Sequence, residues 1–138
     1  IMLYFSKKYN KFLPKQYYYE VMQWFFFQIS QVGPYLGQAH QFLHYHSGKS
    51  IFAEEKYKNY VKRVYETLDQ RLIDNEYLGV EYSIADIATW PWIARFEIHK
   101  AELNQFSHIL RWYKNISERP AVIKGFNVVG DFVKIPMP

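Results

Sequence analysis

Apolar residues recur every three or four positions over most of the chain, and this period is typical of amphipathic helices. The most regular stripe lies between about residues 51 and 74, and charged residues fill the positions between its members. The stripe consists of Tyr57, Tyr60, Val61, Val64, Tyr65, Leu68 and Leu72. Alternation with a period of two is nowhere sustained, and the hairpin dipeptide Asn-Gly does not occur in the sequence. The pattern therefore predicts an all-α fold.

A first long helix is predicted from about residue 16 to about residue 45. The pair Gly33-Pro34 interrupts it. Pro34 has no amide hydrogen and crowds the preceding turn, so a kink or a break is expected there. Ile29 is one of the residues at helical spacing in this segment. A second long helix is predicted over the stripe from about residue 51 to residue 74. Three further helices are predicted to begin near Ser83, Ser107 and Pro120, which gives a bundle of about five helices.

The stretch EYSIADIATWPWIARFE contains a helix start rather than a catalytic pair. The hydroxyl of Ser83 can accept the amide of Asp86, and the carboxylate of Asp86 can reach back to the amide of Ser83, as in a capping box. Tyr82 and Ile87 stand where a hydrophobic staple needs apolar residues. A nucleophilic Ser83 would need a neighbouring base, and no His lies nearby at a suitable spacing.

Composition narrows the possible chemistry. The 138 residues suit one domain, and the absence of cysteine excludes disulfides, thiolate metal sites and a cysteine nucleophile within this chain. The net charge is +4, but no basic helix stands out, so a nucleic-acid partner is not expected. No apolar run is long enough for a membrane span. His40 and His44 share a helical face, yet further ligands are not evident, and no metal is expected.

Several motifs resemble one known family. The stretches EYSIADIATWPW and FSHILRWYKNISERPAV resemble the sixth-helix capping box and the end of the glutathione transferase C-terminal domain. The stretch MQWFFFQISQVGPYLGQAHQFLHY is similar to the nu-class bacterial enzymes, which are glutathione-dependent disulfide-bond oxidoreductases. The resemblance covers nearly the whole chain and is weakest after Phe126. It implies a glutathione transferase C-terminal-like helical bundle with a kinked first long helix.

The resemblance also implies a domain organisation and a function. Residues 1–14 correspond to the end of a thioredoxin-like N-terminal domain and its linker, and residues 15–138 to the helical domain. The catalytic residue is expected upstream of Ile1, so this chain alone should be inactive. The parent is expected to be a cytoplasmic homodimer that uses glutathione as co-substrate to reduce disulfides or to conjugate a small electrophile. A non-enzymatic helical protein-interaction module and a truncated remnant remain as alternatives.

By the same resemblance, one side of the helical domain should form the pocket for the second substrate. Its expected wall consists of Tyr35, Gln38, His40 and Phe42. Lys56 aligns with an Arg that reaches the bound glutathione in the nu-class pattern. Lysine offers a point charge where arginine offers a bidentate fork, so carboxylate recognition should differ. The simpler alternatives are that Tyr35 and Phe42 only pack, and that Lys56 is a solvated helix charge near Glu55.

Overall fold

The computed structural model describes residues 1–128 and 134–138. Within them the chain forms seven α-helices: α1 (Met2–Tyr9), α2 (Tyr18–Phe27), α3 (Gly33–Ala39), α4 (Ile51–Arg71), α5 (Ile84–Ile93), α6 (Ser107–Ser117) and α7 (Pro120–Phe126). The all-α prediction is therefore confirmed. The count exceeds five because the first long helix is divided into α2 and α3, and because the first residues form α1. Among the described helices, none combines the length and the apolar character needed to cross a membrane.

The first long helix does not break at Pro34 but widens just before it. A π-helical turn (Gln28–Val32) joins α2 to α3, and Gly33 keeps helical angles with φ −55° and ψ −58°. A wider turn lets the chain continue past a residue that cannot donate a backbone hydrogen bond. Ile29 lies in this turn and is 50% exposed, because the widened turn displaces it from the apolar stripe. A second π-helical turn (His40–Tyr45) follows α3.

The core lies between the helices: α3 and α6 each pack on both α4 and α5, and α2 packs on α5. The stripe predicted on α4 is confirmed in its second half, where Val61, Val64, Tyr65 and Leu68 are all buried. Helix α4 ends at Arg71, earlier than predicted, and Leu72 follows it as a buried cap residue. Tyr57 and Tyr60 near the start of α4 are only partly buried, so this end of the stripe reaches the protein surface.

The capping box at the start of α5 is confirmed. The amide of Ser83 donates to Asp86 Oδ2 at 3.0 Å, and the Ser83 side chain accepts from the first turn of the helix. Asp86 Oδ1 also accepts from the amide of Leu78 at 2.9 Å and from the indole of Trp112 at 2.8 Å. Burial raises the pKa of Asp86, and these donated hydrogen bonds act to lower it. The carboxylate thus joins a loop, a helix start and α6.

The two residues of the predicted hydrophobic staple, Tyr82 and Ile87, line the same surface groove. Tyr82 and Ile87 are partly buried and line a groove of about 410 Å³ together with Phe12 and Trp90. The ring of Tyr82 also lies under the guanidinium of Arg119, 3.7 Å from its centroid. A staple contact between Tyr82 and Ile87 stays a prediction.

Gly79 has no room for a side chain, and we expect Gly79→Ala to destabilise the fold by about 1–3 kcal/mol. An added Cβ would lie 2.6 Å from Val21 Cγ2 and 2.7 Å from Ser83 Oγ, so a core side chain or the cap must move. Urea unfolding measures the loss. The control is Gly125→Ala, where an added Cβ meets no atom within 4 Å. Equal midpoints for the two variants would contradict the packing argument.

Candidate functional site

An aromatic cluster lies where α3 and the second π-helical turn meet α4, and we define it as Tyr35, Phe42, Tyr57 and Tyr60. Tyr35 stacks on Tyr60 with centroids 4.2 Å apart and planes 6° from parallel. Phe42 stacks on Tyr57 with centroids 5.2 Å apart and planes 2° from parallel. Tyr57 and Tyr60 are themselves 5.8 Å apart, so four rings form one continuous surface. All four are partly buried, which leaves aromatic area accessible to a ligand.

Lys56 stands at the edge of this cluster. Its Nζ lies 6.0 Å from the ring centroid of Tyr57 and 6.0 Å from that of Tyr60, at the outer limit of cation–π contact. The side chain is exposed, and in the described part of the chain no ion pair joins it to a carboxylate, Glu55 included. The ammonium is therefore available to an anion that reaches the aromatic cluster.

The predicted pocket residues do not all come together. Tyr35 and Phe42 belong to the aromatic cluster, beside Lys56. Gln38 is exposed on α3 and makes no side-chain hydrogen bond to another described residue. His40 turns toward the other side, where its ring lies 5.8 Å from that of Trp92. The predicted wall is therefore divided into an aromatic part and a histidine part.

A buried chain of hydrogen bonds continues from His40, and we call Tyr65, His99 and His40 the histidine chain. His40 Nε2 lies 2.8 Å from His99 Nε2, and His99 Nδ1 lies 2.9 Å from the hydroxyl of Tyr65. His99 is 1% exposed. The sequence pattern predicted no role for His99, and it predicted Tyr65 only as a member of the apolar stripe on α4. The partner of His40 is thus His99, not His44 one turn away.

Burial keeps the histidine chain neutral. It lowers the pKa of His99 to about 3, and the charge of Arg95, together with that of His40 whenever His40 is protonated, adds to this effect. Burial, then Arg95, then His44 lower the pKa of His40. Burial also raises the pKa of Tyr65. All three groups are therefore uncharged near neutral pH, and no ion pair is needed to hold them together.

The indole of Trp92 lies beside the two glycines of GPYLG. A Cβ on Gly33 would lie 3.6 Å from Trp92 Cζ2, and a Cβ on Gly37 would lie 3.6 Å from Trp92 Cη2. These are ordinary van der Waals distances, so an alanine would fit at either position. The same indole lies 5.8 Å from the ring of His40.

Several surface cavities lie away from the aromatic cluster. A cleft of about 450 Å³ opens beside Tyr65 and His99, between α4 and residues 99–106. An apolar groove of about 310 Å³ lies between α1 and α5, and it shares Phe12 and Ile87 with the groove of about 410 Å³ described above. Within the described residues, no group of three or more His, Asp or Glu side chains is arranged to hold a metal ion.

The chain is similar in sequence and in fold to one class of protein, the glutathione transferases. Residues 52–115 match the family model described as "Glutathione S-transferase, C-terminal domain". The match, the relatives and the shared fold confirm the resemblance that the motifs carry. The chain is therefore similar in its motifs, its sequence and its fold to the glutathione transferase C-terminal domains.

Relatives and solved structures support the same assignment. The chain is 36% identical over 124 residues to the disulfide-bond oxidoreductase YfcG of Escherichia coli, covering 88% of this chain and 58% of YfcG. It is similar to a glutathione transferase of Pseudomonas putida with one glutathione disulfide bound per subunit, at TM-score 0.84 and 33% identity, covering 94% and 60% of the two chains. A glutathione transferase of Burkholderia graminis with two glutathione molecules per subunit gives TM-score 0.83 and 30% identity, covering 93% and 57%. The chain thus spans little more than half the length of these proteins.

Proposed function

We propose that this chain is the second-substrate half of a glutathione-dependent enzyme of nu-class type. The enzyme would reduce disulfides, or conjugate glutathione to a small electrophile. The observation that carries this proposal is the exposed Lys56 beside the aromatic cluster. The relatives support it, since one is named a disulfide-bond oxidoreductase and others bind glutathione or its disulfide.

The chemistry of this surface suits glutathione. Glutathione carries two carboxylates, and an ammonium group attracts them without imposing a fixed orientation. The exposed parts of the four rings offer an apolar wall for the rest of a disulfide or an electrophile, and ligand sites commonly combine such walls with a few polar groups. In this proposal Lys56 binds a carboxylate of glutathione, and Tyr35 and Phe42 form the aromatic part of the pocket. Gln38, and His40 in the separate histidine part, supply polar groups to other parts of the ligand.

The proposed organisation places the reaction outside these residues. Residues 1–14 would be the end of a thioredoxin-like domain and its linker, and residues 15–138 the helical domain. The apolar groove between α1 and α5 supports this division, because it offers the other domain a docking surface. The catalytic group would lie upstream of Ile1, and the chain alone would be inactive. The parent would act as a cytoplasmic homodimer.

Replacing Lys56 tests the proposal. In the full-length gene product, Lys56→Ala should weaken glutathione disulfide binding about fivefold, the factor that corresponds to losing roughly 1 kcal/mol from an exposed charge pair. Lys56→Arg should bind at least as tightly as the wild type, because a guanidinium can hold a carboxylate through two hydrogen bonds. Isothermal titration calorimetry measures all three affinities.

The matched control is Lys58→Ala, which removes an exposed lysine from the same helix but on the side of the cleft beside Tyr65 and His99. It should bind glutathione disulfide as the wild type does. Equal losses for the two alanine variants would point to general electrostatic attraction and overturn the role of Lys56. An absence of glutathione binding to the wild type would favour the alternative of a protein-interaction module.

A further inference from the structure

The histidine chain links three side chains through two hydrogen bonds, so the position of one hydrogen determines the position of the next. In a neutral imidazole, one ring nitrogen donates a hydrogen bond and the other accepts. His99 is bonded at both nitrogens, to Tyr65 at Nδ1 and to His40 at Nε2. Only two arrangements of hydrogens are therefore consistent with these distances, and they differ in which tautomer each histidine adopts.

Tyr65 decides between the two arrangements. It is 0% exposed, so its hydroxyl has no water to donate to, and in the described part of the chain His99 Nδ1 is its hydrogen-bond partner. A buried donor left without an acceptor is costly. Tyr65 therefore donates to His99 Nδ1, and His99 carries its hydrogen on Nε2. That hydrogen is donated to His40 Nε2, which leaves the hydrogen of His40 on Nδ1.

The Nδ1 of His40 is open to a ligand. His40 is partly buried, and among the described residues nothing forms a hydrogen bond to its Nδ1. The side-chain nitrogens and oxygens that are fully buried without a partner in the described residues are Trp24 Nε1 and Thr89 Oγ1, so His40 Nδ1 retains access to solvent. The positive charge of Arg95 also acts on the His40 ring. A donor beside a cation suits an oxygen acceptor, above all a carboxylate.

We propose that Tyr65 and His99 hold His40 in its Nδ1–H tautomer, so that His40 offers a fixed hydrogen-bond donor to a carboxylate or carbonyl oxygen of the second substrate. The recognition step rests on the proposed function, whereas the tautomer follows from the histidine chain alone. His40 is then a specificity-determining donor and not a general base, because its accessible nitrogen already carries a hydrogen. Tyr65 and His99 are positioning residues that act through it.

Long-range nitrogen–proton NMR of the 15N-labelled 138-residue chain tests the tautomers directly. We expect a pyrrole-like Nδ1 and a pyridine-like Nε2 for His40, and the reverse for His99. In Tyr65→Phe, His99 loses the donor that selects its tautomer, and both rings should change from one tautomer to a mixture. The control is Tyr113→Phe, which removes another buried hydroxyl, bonded at 2.7 Å to the carbonyl of Pro136 and outside the histidine chain. It should leave both tautomers unchanged.

A wild-type His40 with its hydrogen on Nε2, or one that is a mixture, would overturn the proposal. Unchanged tautomers in Tyr65→Phe would overturn the role of Tyr65. In a second NMR experiment, glutathione disulfide is titrated into the full-length gene product. Its binding should shift the His40 Nδ1 resonance. Binding without that shift would overturn the recognition step. If the ligand does not bind, the proposed function and the recognition step both fail, while the tautomer result stands.

Discussion

Replacing Asp86 with alanine is expected to lower the free energy of unfolding by roughly 3–5 kcal/mol, the largest effect of any single change considered for this chain. Asp86 is fully buried and accepts hydrogen bonds from Leu78, Ser83 and Trp112. Alanine would leave these donors unpaired in the protein interior. It would also remove the carboxylate that holds the start of α5 against α6.

Urea unfolding monitored by circular dichroism measures this loss. Asp86→Asn should fall between the wild type and Asp86→Ala, because asparagine keeps one acceptor oxygen but directs an amide at the remaining donors. Asp74→Ala serves as the control, since Asp74 is exposed beyond the end of α4 and should change stability by less than about 0.5 kcal/mol. An unfolding midpoint for Asp86→Ala close to that of Asp74→Ala would refute the buried-acceptor account.

Acid should destabilise this fold through His99 before most carboxylates protonate. Burial holds the folded-state pKa of His99 at about 3, against an ordinary value of 6.5. Between these values the unfolded chain binds a proton that the folded chain does not. Stability is therefore fully present above about pH 6.5 and is lost as the pH falls toward 3, at roughly 1.4 kcal/mol per pH unit.

The contribution of His99 is measured by comparing how steeply the free energy of unfolding depends on pH in the wild type and in a variant without this histidine. His99→Gln removes the titrating group, so the free energy of unfolding should depend less steeply on pH between 6.5 and 4.5, by roughly 2–3 kcal/mol over the interval. His46→Gln, which changes an exposed histidine, should keep the wild-type slope. Identical slopes for wild type and His99→Gln would show that the histidine chain takes up protons without unfolding.

Local features of the fold could be predicted from the sequence, whereas contacts between residues far apart in the sequence could not. The capping box joins Ser83 and Asp86, three residues apart, and is visible as a pattern. Nothing in that pattern shows that Trp112, 26 residues further on, donates to the same carboxylate. The interruption at Pro34 was also visible, but a wider turn rather than a break depends on how α2 and α3 pack, which propensity alone does not decide.

In the candidate site, too, single residues were predictable and their contacts with residues far away in the sequence were not. Lys56, Tyr35 and Phe42 were identified by family resemblance, and the fold places them on one surface. His40 was identified with them, but its partner His99 lies 59 residues away, just beyond α5. A histidine in a short irregular segment gives no periodic signal. A buried tyrosine on an apolar stripe also looks like a core residue until the acceptor for its hydroxyl is known.

The most direct test of the proposed site is a crystal structure of the full-length gene product with glutathione disulfide bound. The account predicts a glutathione carboxylate within ion-pair distance of the Lys56 ammonium, about 4 Å or less, with the ligand lying against Tyr35 and Phe42. It also predicts a ligand oxygen within hydrogen-bond distance of His40 Nδ1. A ligand bound elsewhere, for example in the cleft beside Tyr65 and Lys58, would contradict the assignment of this surface as the second-substrate pocket.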